Sequence, residues 1–426
     1  MTDLTLPEAM LRFLTLPLLA AALLFGPEGR TADRPDGPAA LVQRGAALAA
    51  IGNCAGCHTR GAGPPFSGGV PLHTPFGTVF GSNITPDPDT GIGAWQEADF
   101  IKAMRFGVMP DGGHLYPAFP YDHFTLASDE DLKALYAFIA SRTAVRRESQ
   151  PNQLDFPFNN RGLMVVWDAL YLEPGPAPAR ATEDQVSRGR YLSRSLGHCD
   201  SCHSPRGSLG DERHDLAFDG GQVDGWYAPA LNHHSPSPTA WTREQMVQYL
   251  STGIAPDHAM AAGPMREVVL SLQRADPADV DAIAAYLIDM MSASNMQKQL
   301  QSDQLHERAS VALSTVAADP GPSTLGAAVY RGACASCHDK GRAQSSRGAL
   351  QMPLAIAAYD PDPASLLHLI REGIAPIPGG AARFMPAFGS SLTDAQLTAL
   401  LTFIRADAAQ MPPWPDLERA VRDSAQ

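Results

Sequence analysis

Six cysteines in 426 residues fall into three copies of one pentapeptide, and this distribution constrains the chain more than any other feature. They read Cys54-Ala-Gly-Cys57-His58, Cys199-Asp-Ser-Cys202-His203 and Cys334-Ala-Ser-Cys337-His338, which leaves none for a disulfide. Two thiols with two residues between them can add across the two vinyl groups of one haem. The His that follows then lies beneath the iron as its proximal ligand. A zinc ribbon would need two such pairs close enough to share a metal, whereas these begin 145 and 135 residues apart. A thioredoxin-like dithiol would sit in a βαβ pattern, and none surrounds the motifs. The motifs therefore imply three covalently bound haem c groups, with His58, His203 and His338 on the irons.

The repetition extends beyond the cysteines. Gly45, Gly189 and Gly326 stand upstream of the three motifs, each in a short helical stretch. Each unit closes on an amphipathic segment, beginning at Ser128, Asp276 and Leu392, and these read as terminal helices. Ser128 with Asp131 and Thr393 with Gln396 have capping-box spacing, and Asp276 precedes a proline at the first helical position. The pairs Phe138-Ile139, Tyr286-Leu287 and Phe403-Ile404 recur inside these helices, three residues after Leu135, Ile283 and Leu400. A helix before the motif crossing a terminal helix at a Gly-to-aromatic contact resembles the framework of small c-type cytochromes. Units of about a hundred residues have marginal cores, and a buried haem would supply missing apolar surface.

Between motif and terminal helix lies a further helical segment ending in Gly107, Gly253 or Gly373. Twelve residues onward from Gly253 is Met265, and twelve onward from Gly373 is Met385. A thioether opposite a histidine stabilises ferrous iron, so these two are expected as sixth ligands. The same count from Gly107 reaches Phe119, which cannot ligate iron. For the first haem the sixth position is left to Met109, His114, His123 or to nothing.

A net charge of −13 repels phosphate backbones and anionic lipid, which argues against nucleic acid as a partner. With 37 Gly and 37 Pro, many turns and long loops are expected. Leu11 to Phe25 is an apolar run whose only charge is Arg12, the length of a signal-peptide core. Residues 1–30 are accordingly expected to be a signal peptide or N-terminal anchor, placing the rest in the periplasm in association with the cytoplasmic membrane.

The segments FGTVFGSNITPDPDTGIGAW, GWYAPALN and FMPAFGSSLTD, one in each unit, resemble the cytochrome c subunit of bacterial membrane-associated alcohol and aldehyde dehydrogenases. The resemblance implies an all-α chain of three tandem class I cytochrome c-like domains, at 36–145, 183–292 and 321–410. A connector would occupy 146–182, a linker 293–320 and a tail 411–426. The connector FPFNNRGLMVVWDALYL, around Trp167, is similar to the family's inter-domain segment. The family further implies a catalytic dehydrogenase subunit as partner, carrying molybdopterin, pyrroloquinoline quinone or flavin. Its electrons would pass through the haems to ubiquinone or on towards a terminal oxidase. The family's alcohol-dehydrogenase members place the axial Met of the first domain in YPAMPY. Here the sequence is Tyr116-Pro-Ala-Phe119-Pro-Tyr121, which more closely resembles cytochromes accompanying molybdenum hydroxylases or aldehyde dehydrogenases. No acid-base pair or nucleophile announces itself, so electron transfer is the expected role; a peroxidase-like haem enzyme with an open first haem is the alternative.

Overall fold

Three helix pairs organise the chain, each made of a glycine-bearing helix before a CxxCH motif and the terminal helix of the same repeat. The computed structural model describes residues 37–174, 184–315, 322–341, 349–378 and 383–424. The apolar run Leu11 to Phe25 lies outside the described residues. The first repeat contains α1 (Pro38–Ile51), α2 (Cys54–His58), a hairpin of β1 (Pro71–Thr74) and β2 (Gly77–Phe80), α3 (Glu97–Phe106), α4 (Tyr121–Phe124) and α5 (Asp129–Ala140). The connector adds β3 (Gln153–Leu154) to that hairpin and then forms α6 (Met164–Tyr171). In the second repeat come α7 (Gln185–Arg194), α8 (Asp200–His203), a hairpin of β4 (Gly221–Val223) and β5 (Trp226–Ala228), α9 (Arg243–Thr252), a ribbon of β6 (Ile254–Ala255) and β7 (Ala259–Met260), α10 (Gly263–Leu272) and α11 (Pro277–Met290). Helices α12 (Ser292–Gln299) and α13 (Ser302–Ser310) lead to the third repeat, which has α14 (Pro322–Val329), α15 (Ala335–His338), α16 (Ala364–Glu372), α17 (Asp394–Phe403) and the C-terminal α18 (Leu417–Asp423). The fold is predominantly helical, with small antiparallel ribbons that the helical periodicity did not foretell. None of the described helices is long and apolar enough to cross a membrane.

Glycine sets the crossing of each pair. A Cβ on Gly45 would lie 1.9 Å from the Ala134 carbonyl oxygen and 2.7 Å from Phe138 Cβ. On Gly189 it would lie 1.9 Å from Ala282 O and 2.8 Å from Tyr286 Cβ, and on Gly326 2.1 Å from Ala399 O and 2.7 Å from Phe403 Cβ. The helices thus touch backbone to backbone, and only hydrogen fits between them. Leu48, Leu132, Leu192, Leu397 and Leu400 are fully buried around these crossings, each worth about 1.5–3 kcal/mol of transfer free energy.

The terminal helices start where the capping pattern puts them, with one difference. At Thr393 the reciprocal box with Gln396 is complete, and Asp276 accepts from Ala278 N at 2.9 Å. Ser128 accepts from Asp131 N, but the Asp131 carboxylate does not return the bond. It is buried, paired with Arg44 and accepting from Tyr191 Oη at 2.7 Å, while Ser128 N donates to the same phenol oxygen at 2.9 Å. A charge-assisted partner outcompetes the local cap.

The chain enters the three motifs by two routes. Asn53 (φ 45°) and His198 (φ 35°), each directly before the first cysteine, turn the chain into the motif in the left-handed region, which these residue types tolerate better than most. Ala333 occupies that place in the third repeat, where a left-handed turn would cost about 1–2 kcal/mol. There the backbone instead continues through a π-type turn, Tyr330–Cys334, directly into α15.

The described residues from Pro38 onward pack as a single unit. One hydrophobic cluster runs through the first two repeats, joining Leu48, Phe138 and Ile139 to Tyr191, Leu196, Tyr286 and Met291; a separate cluster around Tyr330, Leu400 and Phe403 forms the interior of the third.

Candidate functional site

Each CxxCH histidine is held in the same way. His58 Nδ1 lies 2.7 Å from Ser82 O, His203 Nδ1 2.7 Å from Pro229 O, and His338 Nδ1 2.6 Å from Leu350 O. A carbonyl only accepts, so Nδ1 carries the proton and Nε2 keeps its lone pair for a metal. Burial lowers the pKa of all three rings, opposed in part by the carbonyl contact, and this favours the neutral, ligating form.

The ribbons explain how the carbonyls reach the rings. Gly81, at the end of the first hairpin, sits so close to the motif that a Cβ would be 1.9 Å from Cys57 O; a Cβ on Gly221 would be 2.4 Å from Ser204 O. Each hairpin therefore lies against the thiol-bearing turn and delivers the next carbonyl, Ser82 or Pro229, to Nδ1. A second device was missed in the sequence. Phe66 (φ 62°) and Phe218 (φ 60°) open the repeated tetrapeptides Phe66-Ser-Gly-Gly and Phe218-Asp-Gly-Gly. Their amides donate to Thr59 Oγ1 and Ser204 Oγ, the residues directly after the CxxCH histidines, at 3.0 Å each. Their rings meet the terminal-helix aromatics edge-on, Phe66 to Phe138 at 5.7 Å and Phe218 to Tyr286 at 6.1 Å. The shared FxGG pattern was the available signal.

All six cysteines are free thiols, half-buried in one-turn helices or just before them. Burial pushes Cys54, Cys199 and Cys334 up to about 12, as expected of sulfur in an apolar setting, where a thioether is accommodated at lower cost than a thiolate. Paired thiols, a neutral imidazole with a committed Nδ1, and apolar walls all fit haem c.

The expected sixth ligands are both half-buried. Met385 is fixed by its backbone, which exchanges hydrogen bonds with Ile374 at 2.8 and 3.0 Å directly after the helix-ending Gly373. Met265 lies in the first turn of α10 and packs against Val269, Ala261 and Ile377. Phe119 meets Phe124 edge-on, with ring centres 5.2 Å apart. His123 turns away to the second repeat, against Asp200 and Glu212. His114 is held by the connector: Nδ1 lies 2.5 Å from Asp168 Oδ2, Tyr121 donates to Asp168 Oδ1 at 2.6 Å, and Arg161 donates to His114 O at 2.7 Å. Met109 is half-buried beside Gly113, its methyl 2.7 Å from where a Cβ there would stand.

The sites adjoin one another. Helix α2, which carries the first motif, packs on α10, which carries Met265. The third repeat meets the second where His368 stacks on Trp226 (4.9 Å, 19°), Ser365 bridges Tyr227 N and O, and Ile356 N donates to His258 O.

Two family models match: "Cytochrome c" over residues 42–143, and "Cytochrome C oxidase, cbb3-type, subunit III" over 322–404. The chain is 41% identical over 388 residues to a nicotinate dehydrogenase subunit of Pseudomonas putida, covering 89% of this chain but only 31% of that protein. It is 38% identical to the gluconate 2-dehydrogenase cytochrome c subunit of Pantoea cypripedii, over 86% of this chain and 85% of the relative. The quinone-type alcohol dehydrogenase cytochrome c subunit of Gluconacetobacter polyoxogenes is 32% identical, over 95% and 88%.

Proposed function

Because the chain belongs to the family of dehydrogenase cytochrome c subunits, we propose that it carries three haem c groups and relays electrons from a catalytic dehydrogenase subunit. The observation that carries this reading is the threefold recurrence of one arrangement, a CxxCH turn whose imidazole gives Nδ1 to a carbonyl and keeps Nε2. Cys54, Cys57 and His58 hold the first haem, Cys199, Cys202 and His203 the second, and Cys334, Cys337 and His338 the third. The haem units correspond to 36–145, 183–292 and 321–410. When bound, the groups supply reversible one-electron transfer. This chain's residues attach them, ligate them, exclude water and set the distances between them. Met265 and Met385 complete the second and third sites.

The contact of α2 with α10 supports direct exchange between the first and second haems, and the Trp226–His368 contact supports an onward route to the third. The partner is a molybdopterin, pyrroloquinoline quinone or flavin enzyme, the acceptor is ubiquinone or another respiratory carrier, and the compartment is the periplasm. A pyridine haemochrome assay on the purified chain is expected to give three haems, and two or fewer would overturn the reading. Reduction of the cytochrome by the co-purified dehydrogenase and its substrate tests the relay.

For the first haem we assign the sixth position to His114. Its Nδ1 is taken by the Asp168 carboxylate, which leaves Nε2 uncommitted. Electron paramagnetic resonance of the oxidised protein is expected to show one low-spin haem with two imidazoles, and His114→Ala to convert one haem of three to high spin. A Met-type signature at that haem would transfer the assignment to Met109. A wild-type first haem that is high-spin and turns over peroxide would instead favour the peroxidase-like reading.

A further inference from the structure

His123, Asp200 and Glu212 come from separate segments, α4 of the first repeat, the first turn of α8, and the loop after it, yet they meet in the interior. Their side chains are 5%, 1% and 0% exposed. One donor atom from each lies within 4.8 Å of the other two. Every one of these residues has one polar atom tied to a neighbour outside the group. His123 Nδ1 faces Arg194 O at 3.1 Å, Asp200 Oδ2 accepts from Arg194 Nε at 3.2 Å, and Glu212 Oε1 accepts from Ser204 Oγ at 3.2 Å. The remaining atoms, His123 Nε2, Asp200 Oδ1 and Glu212 Oε2, are buried and make no hydrogen bond. Nε2 and Oε2 are 2.9 Å apart without the alignment of one, and Asp200 Oδ1 is 3.2 Å from Nδ1.

Buried polar atoms left unbonded cost about 1–3 kcal/mol each, and carboxylates cost more, so a buried imidazole and two buried carboxylates that each keep one unbonded atom call for a partner beyond their mutual ion pairs. The pattern matches that of the three haem histidines, in which a carbonyl takes Nδ1 and frees Nε2, and it extends to the carboxylates, each anchored through one oxygen and open at the other. One imidazole with two carboxylates is a donor set for a borderline divalent cation, and two positive charges balance the two carboxylates. We propose that His123, Asp200 and Glu212 form a binding site for a divalent transition-metal cation of the zinc class, which ties the first repeat to the second one residue from Cys199.

The test uses the full-length haem-loaded protein, stripped with a chelator and titrated with Zn2+ alone. Calorimetry is expected to show one saturable site, and zinc-edge X-ray absorption a shell of nitrogen and oxygen with one imidazole and no sulfur. His123→Gln and Glu212→Gln should each weaken binding at least tenfold, while substituting the exposed His306→Gln should change nothing. A haem count of three in each variant shows that it has folded. If a variant fails that check, the absorption spectrum of the wild type decides alone. No saturable uptake, or uptake unaffected by His123→Gln, or a shell lacking imidazole, would overturn the site. A haem count below three in the wild type would instead count against the relay and leave the zinc result standing separately.

Discussion

Gly326→Ala is expected to lower the stability of the haem-loaded chain by about 2–3 kcal/mol, the upper part of the range for overpacking a close contact. The new Cβ would sit 2.1 Å from Ala399 O and 2.7 Å from Phe403 Cβ, and neither neighbour is the far end of a flexible side chain. Helix α14 would have to slide on α17, and this strain exceeds the gain of about 1 kcal/mol that Ala offers over Gly in a helix. Gly332 is the internal control. It lies in the same repeat with nothing within 4 Å of its would-be Cβ, so Gly332→Ala should be neutral or slightly stabilising. Denaturant unfolding followed by far-UV circular dichroism compares the two. Equal midpoints for both variants would mean that the helices do not cross where described.

Met385→His is expected to lower the potential of one haem by on the order of 0.1 V, a fraction of the roughly 0.8 V that axial ligands span. The loop should survive the exchange, because backbone bonds from Ile374 to Met385, from Phe388 N to Ile370 O (2.9 Å) and from Gly389 N to Arg371 O (3.0 Å) hold it independently of the side chain. A potentiometric titration monitored optically should show one component moving and the other two staying. Three unchanged potentials would remove Met385 from the iron.

Local chemistry was the legible part of this chain. The CxxCH turns, the helices ending at Gly107, Gly253 and Gly373 and the caps at Thr393 and Asp276 each depend on residues within a few positions of one another, and the structure places those elements there. The glycine crossings were legible because the same small residue recurs eight to ten positions before each motif. What depends on distant partners was not. Asp131 has the spacing of a cap, but Arg44 is 87 positions away and Tyr191 is 60, and together they claim its carboxylate. His123 stood as an iron ligand candidate on residue type alone, and only the approach of Asp200 and Glu212 shows where it turns. Phe66 and Phe218 were hidden for another reason: a left-handed phenylalanine is unusual enough that propensity argues against it, although the hydroxyl after each CxxCH histidine stabilises the turn.

The interior shared by the first and second repeats bears on how such a chain can be rebuilt. Three similar motifs suggest beads that can be added, dropped or exchanged one at a time. The hydrophobic cluster running from Leu48 through Phe138 to Tyr191 and Tyr286 makes the first two a single building block, since separating them would expose both apolar faces and strand Asp131 without its phenol. The third repeat keeps its own interior around Tyr330 and Phe403 and meets the second through stacked rings, backbone bonds and two buried isoleucines, Ile356 in the shared cluster and Ile377 against Ala261 and Val269. Recombination between related genes is thus penalised more at the first junction than at the second, and chimaeras that trade the last repeat alone are the ones this architecture favours.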